Sequence, residues 1–141
     1  MKLRLLLAHN AEVQAGMLYV LGGGWIEIGP DASAFAIAGL IEVSWDETNR
    51  QHELDITIVD ADGHPFMHPT PTGDQAFHVN ARVIVGRPPN AIAGQSFNLP
   101  VALNFPPLQF RPGTVYIVRG SINGTLLDEV PFVIRNAPPV P

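Results

Sequence analysis

A chain of 141 residues, 46% of them hydrophobic, has the size and apolar content of one globular domain. Its net charge of −5, with only eight basic residues placed singly along the chain, disfavours a general nucleic-acid surface, which needs clustered cations. It has no cysteine, which excludes disulfides, thiolate metal sites and thiol catalysis, and its charged fraction of 15% leaves a surface inclined toward self-association or a partner.

The chain opens with a strand pattern over Lys2–Ala8. Its apolar run, Leu5-Leu-Leu-Ala8, is shorter than the 7–15 residues or so of a secretory segment and the 20 or so of a membrane span. The expectation is a cytoplasmic protein with no membrane association. Asn10 is placed to cap one short helical turn through Gln14, closed by Gly16. A strand over Leu18–Gly23 then runs into Gly22-Gly-Gly-Trp25. This is not a phosphate loop: Glu27 stands where a dinucleotide fingerprint needs its last glycine, and a β-rich stretch follows instead of a helix. The glycines read as a bend across which Trp25 packs.

Strands follow over Phe35–Val43 and His52–Val59, the latter with Leu54, Ile56 and Ile58 on one face. Between them Trp45–Arg50 reads as a helical turn or structured loop. Asp62-Gly63 marks a tight turn, and Pro69–Gly73 reads as a poorly ordered loop. A strand over Ala76–Val85 sets Phe77, Val79, Ala81, Val83 and Val85 against His78, Asn80 and Arg82. After a long irregular loop near 86–95, Phe97–Phe105 carries a large apolar residue at every odd position, and Pro100 marks it as an edge strand or a bulge. The last hairpin joins Thr114–Ile122 to Val130–Ile134 through Asn123-Gly124. These elements predict an all-β chain, an immunoglobulin-like antiparallel sandwich of about seven to nine strands, with an open barrel as the alternative. One domain over 1–135 and a proline-rich disordered tail over 136–141 complete the organisation.

The opening of MKLxLLLA type, Leu18–Trp25, Val43–Arg50, Gly86-Arg-Pro-Pro89, Leu103-Asn-Phe105 and the closing Asn-Gly hairpin resemble a small uncharacterised bacterial family of all-β, single-domain proteins. The resemblance implies one domain and brings no activity, cofactor or catalytic residue with it.

Candidate sites remain few. Asp46 with Glu47, and Asp60 with Asp62, offer two carboxylates per loop, where calcium wants six to eight oxygens. The strand between the loops holds them about 25 Å apart, too far to share an ion. His64 and His68 have zinc-ligand spacing for a helix, but Pro65 and Pro69 rule against one, so they read as turn histidines. No serine lies in a nucleophile elbow. No metal, cofactor or catalytic residue is expected. The ligand or partner contacts proposed from the sequence are Trp45, Asp46, Glu47, Trp25 and Tyr19. Trp45 is expected to be the more exposed tryptophan, and a core or sheet-end role is favoured for both. The leading functional expectation is a non-catalytic protein-interaction or self-assembly domain, with a homo-oligomer or a protein as partner. The first alternative is a small-ligand or carbohydrate module using the aromatic residues. The second is a hydrolase with an Asp/Glu–His site.

Overall fold

The structure is a computed structural model that describes residues 1–139. Val140 and Pro141, the end of the tail expected to be disordered, lie outside the described residues, and Asn136–Pro139 are exposed and without regular structure. The described residues form twelve strands: β1 (Lys2–Ala8), β2 (Asn10–Gln14), β3 (Met17–Leu21), β4 (Glu27–Ile28), β5 (Phe35–Val43), β6 (Gln51–Asp60), β7 (Met67–Thr70), β8 (Gly73–Ala76), β9 (His78–Ile84), β10 (Phe97–Phe105), β11 (Val115–Ile122) and β12 (Thr125–Ile134). One 3-10 turn, Trp45–Glu47, is the only helical segment among them.

A three-stranded sheet in the order β1-β5-β10 faces a five-stranded sheet in the order β4-β12-β11-β6-β9, and neither closes into a barrel. All pairs are antiparallel except β4 with β12. The alternation foreseen in the sequence fills the space between the sheets. Leu3, Leu5 and Leu7 of β1 and Phe35, Ile37, Ile41 and Val43 of β5 meet Leu54, Ile56 and Ile58 of β6. Tyr116, Val118 and Ile122 of β11 and Phe132 and Ile134 of β12 complete this core. Each such side chain contributes about 1.5–3 kcal/mol by leaving water. The sheets approach so closely at Gly120 that an added Cβ would sit 2.5 Å from Leu3 Cδ2 and 2.7 Å from Leu5 Cδ1. At the same side of the sandwich the Leu5 N–H donates across to Asp128 Oδ2 at 2.7 Å, joining β1 to the other sheet.

A second, smaller apolar layer lies outside the sandwich. Two outward residues of β5 are the buried alanines Ala36 and Ala38, which pack with Ala8, Ala11, Leu6, Leu18 and Ala102. Residues this small let the β2–β3 hairpin lie close to the sheet. Asn104 of β10 anchors it: its side-chain oxygen accepts from the Ala11 N–H at 3.2 Å, and its amide donates to the Ala11 carbonyl at 2.8 Å.

Two expectations are corrected here. Asn10–Gln14 is a strand and not a helical turn: Gln14 pairs with Met17 across a two-residue turn in which Ala15 (φ 51°) and Gly16 (φ 74°) are both left-handed. Five residues fit either period, and the alanine face waiting for Ala11 decides in favour of the strand. Pro69–Gly73 is not an irregular loop but the turn of a second hairpin, with Pro69 opposite Asp74 and Thr70 opposite Gly73. Pro100 does lie on an edge strand of its sheet, as its missing N–H requires.

Candidate functional site

The five residues singled out in the sequence fall in three separate places. Trp45 begins the 3-10 turn and is half-buried. The Arg87 guanidinium carbon lies 3.9 Å from its ring centroid, and Phe97 stacks at 6.3 Å with planes 25° apart. Arg87 is itself held in place, donating from Nε to the Thr48 hydroxyl and from Nη2 to the Trp45 carbonyl, each at 2.7 Å. Trp45 is thus engaged by its own chain through a cation–π contact and a stacked ring.

Glu47 closes the turn in a capping box: its carboxylate accepts from the Ser44 N–H at 3.1 Å and the Ser44 hydroxyl at 2.7 Å. Its other oxygen is 3.3 Å from the Met1 amino group. The Ser44 hydroxyl bond, more than any other contact, holds this carboxyl below the usual range. Asp46 is exposed beside it, its carbonyl accepting from Arg50 at 2.9 Å. Beneath the turn His52 is buried, its Nδ1 facing the Asn123 amide at 2.9 Å and its Nε2 facing the Glu47 carbonyl at 2.8 Å. The Asn123 oxygen is taken by the Glu53 N–H at 2.9 Å, so Asn123 turns its amide NH2 toward Nδ1, and Nε2 is the ring nitrogen that faces the carbonyl.

Trp25 lies at the opposite end of the bend made by Gly22 (φ 64°) and Gly24 (φ 90°). It packs edge-on against Phe132 at 5.8 Å and Phe35 at 6.3 Å, sealing the core with its Nε1 buried and without a hydrogen-bond partner among the described residues. Tyr19 is in the third place, on β3. There Met17, Tyr19 and Leu21 form one outward row, 56%, 50% and 71% exposed. The neighbouring β2 row is polar: Asn10, Glu12 and Gln14 lie opposite Leu21, Tyr19 and Met17.

The sequence drew no attention to a cleft of about 300 Å³ between the Asp60–Met67 turn and residues 109–116. Phe66, Phe110 and Tyr116 form its floor, and Asp60, His64, Gln109, Arg111 and Thr114 its rim. Asp60, Asp62 and His64 bring ligand atoms within 4.8 Å of one another. Asp60 Oδ1, however, already accepts from the N–H groups of Asp62 and His64, both at 2.9 Å. The His64 N–H is the main reason its carboxyl lies below the ordinary range. This is the Asp-Gly turn holding itself together, as the sequence led one to expect. The carboxylate pairs Asp46–Glu47 and Asp60–Asp62 sit at opposite ends of β6. His64 joins the second pair as a third side chain, a grouping that its i, i+4 spacing to His68 does not announce. His68 lies on β7 with its ring 5.9 Å from Phe77.

One further cluster lies on the open face of the larger sheet. His78 Nε2 approaches Asp55 Oδ1 at 2.7 Å, and the Asn80 amide donates to the same oxygen at 2.9 Å. Those two contacts, Asn80 first, keep the Asp55 carboxyl below its ordinary value.

A model of the family of unknown function DUF6941 matches residues 3–135. The chain belongs to that family. No curated protein matches the sequence. Among solved structures, a β-glucuronidase from glycoside hydrolase family 2 is similar over 75% of this chain and 10% of its own, at 22% identity and a TM-score of 0.42. A likeness at that level carries no argument about function. No helix among the described residues is long and apolar enough to cross a membrane.

Proposed function

We propose that this member of DUF6941 is a non-catalytic protein-interaction domain, immunoglobulin-like in architecture, that engages its partner through the β2–β3 hairpin. The observation that carries this reading is the exposed row Met17, Tyr19 and Leu21. Large apolar side chains gathered on one strand, beside a complete core, are what interaction surfaces present and isolated exposed residues are not. No charged residue interrupts the chain from Val13 through Ile26.

The Asp55–His78 contact supports a non-catalytic reading. His78 and Asp55 lie on an open sheet face, and Ser121 pairs with Asp55 on the side away from β9. That order puts the carboxylate between hydroxyl and imidazole, whereas nucleophile activation needs the imidazole in the middle. A photo-crosslinking amino acid in place of Tyr19 tests the proposal in cells. Protein adducts are expected from position 19 and not from Ile92, an exposed loop residue; equal absence from both overturns it.

A second reading, a small-ligand module, is favoured by the cleft and not by the tryptophans. Aromatic rings under a polar rim suit a ligand of one ring bearing hydroxyl groups. Chemical-shift changes confined to His64, Gln109 and Arg111 across a panel of monosaccharides are its expected signature, and their absence removes it.

A further inference from the structure

We infer that β3 pairs with β3 of a second copy of this chain, antiparallel about a two-fold axis through Tyr19, to form a four-stranded sheet β2-β3-β3-β2 across two subunits. This rests on the reading of the hairpin as the interaction surface and names its partner.

The edges of the molecule differ in how they are guarded. Edge strands normally carry charges, proline or a cover that blocks strand addition. On β10 there is Pro100, and Asn104 is engaged with the hairpin. On β9 there are His78 and Arg82; on β1, Lys2 and Arg4, with the Leu5 N–H already held by Asp128. The second hairpin carries Pro69 and Asp74. The outer edge of β2 is closed by the side chain of Asn104, which bonds both the N–H and the carbonyl of Ala11. β3 alone among these has neither charge nor proline.

Backbone parity then sets the register. A two-residue turn makes its closing pair, Gln14 and Met17, a hydrogen-bonded one, and bonded and non-bonded pairs alternate from there. Ala11 and Val20 are therefore a non-bonded pair, consistent with Ala11 turning its N–H and carbonyl to Asn104. On β3 the groups that point away from β2 belong to Leu18 and Val20. An antiparallel copy centred on Tyr19 sets Leu18 against Val20 in reciprocal bonded pairs, and Tyr19 against Tyr19 in a non-bonded pair, where side chains come closest. Met17 meets Leu21 on either side, so the apolar row is complementary to itself. The contact is isologous. It also closes: both β3 edges are consumed, and Asn104 caps each outer β2.

Edge pairing covers the outer backbone of β3 and the flanks of the row while its outward face stays open, so the pair falls short of the roughly 1,000 Å² that a stable specific interface clears. A weak, concentration-dependent dimer in the micromolar range is the expected result in sedimentation velocity. Val20→Pro removes only an outward-facing N–H, and Tyr19→Glu sets like charges against each other on the axis. Each is expected to weaken the dimer at least tenfold with the circular dichroism spectrum retained.

The absence of cysteine gives a register test. Tyr19→Cys brings two thiols together at a Cα separation of about 4.5 Å, within the range that a disulfide accepts. A covalent dimer is expected from Tyr19→Cys under mild oxidation, and none from Ile92→Cys. Equal crosslinking of the two, or a wild-type monomer at millimolar concentration, overturns the pairing. Photo-adducts at position 19 that contain only another protein overturn it while leaving the interaction reading in place, and no adducts at all remove both.

Discussion

The interior of the sandwich and the β2–β3 hairpin use the same alternation of side chains to opposite ends. Between the sheets the inward positions are large, from Leu7 and Ile37 to Phe132, and the outward ones mix polar residues such as Asp55 and Arg82 with scattered apolar ones such as Ile84, Val115 and Val133. On the hairpin the inward contact is made by Ala11 and Leu18 over an alanine-lined sheet, while Met17, Tyr19 and Leu21 face out. One region places its bulk where water is excluded, and the other places it where a partner would exclude water. Period two therefore says that residues share a face, and the facing surface decides whether that face is buried.

Substitutions sharpen the contrast. Phe132, 1% exposed and in contact with the rings of Trp25, Phe110 and Tyr116, should show the largest effect. Phe132→Ala is expected to cost about 3–5 kcal/mol in urea denaturation. Asn104→Ala strips both partners from Ala11 and should cost about 1–3 kcal/mol, with faster amide exchange in the hairpin than in β5 or β6. A loss as large as that of Phe132→Ala would mean that the hairpin belongs to the core. Leu21→Ser, at a position as large and as apolar as the core residues, should change monomer stability by less than about 0.5 kcal/mol. The smallest effect is expected from Asp55→Asn. Because the folded state holds this carboxyl below its ordinary value of 3.8, the unfolded chain takes up the proton first as pH falls. The stability it contributes is present above that value and is lost as pH drops through the lower, folded one. The wild-type urea midpoint should therefore fall more steeply below about pH 4 than that of the variant.

Legibility followed how local the determining forces were. The strands Lys2–Ala8, Phe35–Val43 and Phe97–Phe105 appear with the boundaries that alternation implied, because each is long enough to display its period several times. Asn123-Gly124 forms the expected turn, with φ of 52° and 81°, since both residues tolerate left-handed backbone. Asn10–Gln14 and Pro69–Gly73 form hairpins against the expectation because four or five residues do not distinguish strand from turn without the surface that receives them. Among the candidate sites, Glu47 is recognisable as a polar loop residue, but its capping box with Ser44 depends on the turn that the fold imposes. The cleft draws on residues 60–67 and 109–116, too far apart in the chain for any spacing rule to join them.

The sequence by itself determined that the chain is all-β, free of thiol chemistry and built on alternating strands, since these follow from residue type and period alone. Only the tertiary structure decided which apolar faces are spent on the core. Trp45 is engaged by Arg87 and Phe97, and Trp25 seals the interior against Phe35 and Phe132, while Tyr19 stands in water. Three aromatic residues of similar standing in the sequence differ because burial depends on which distant strands arrive to cover them.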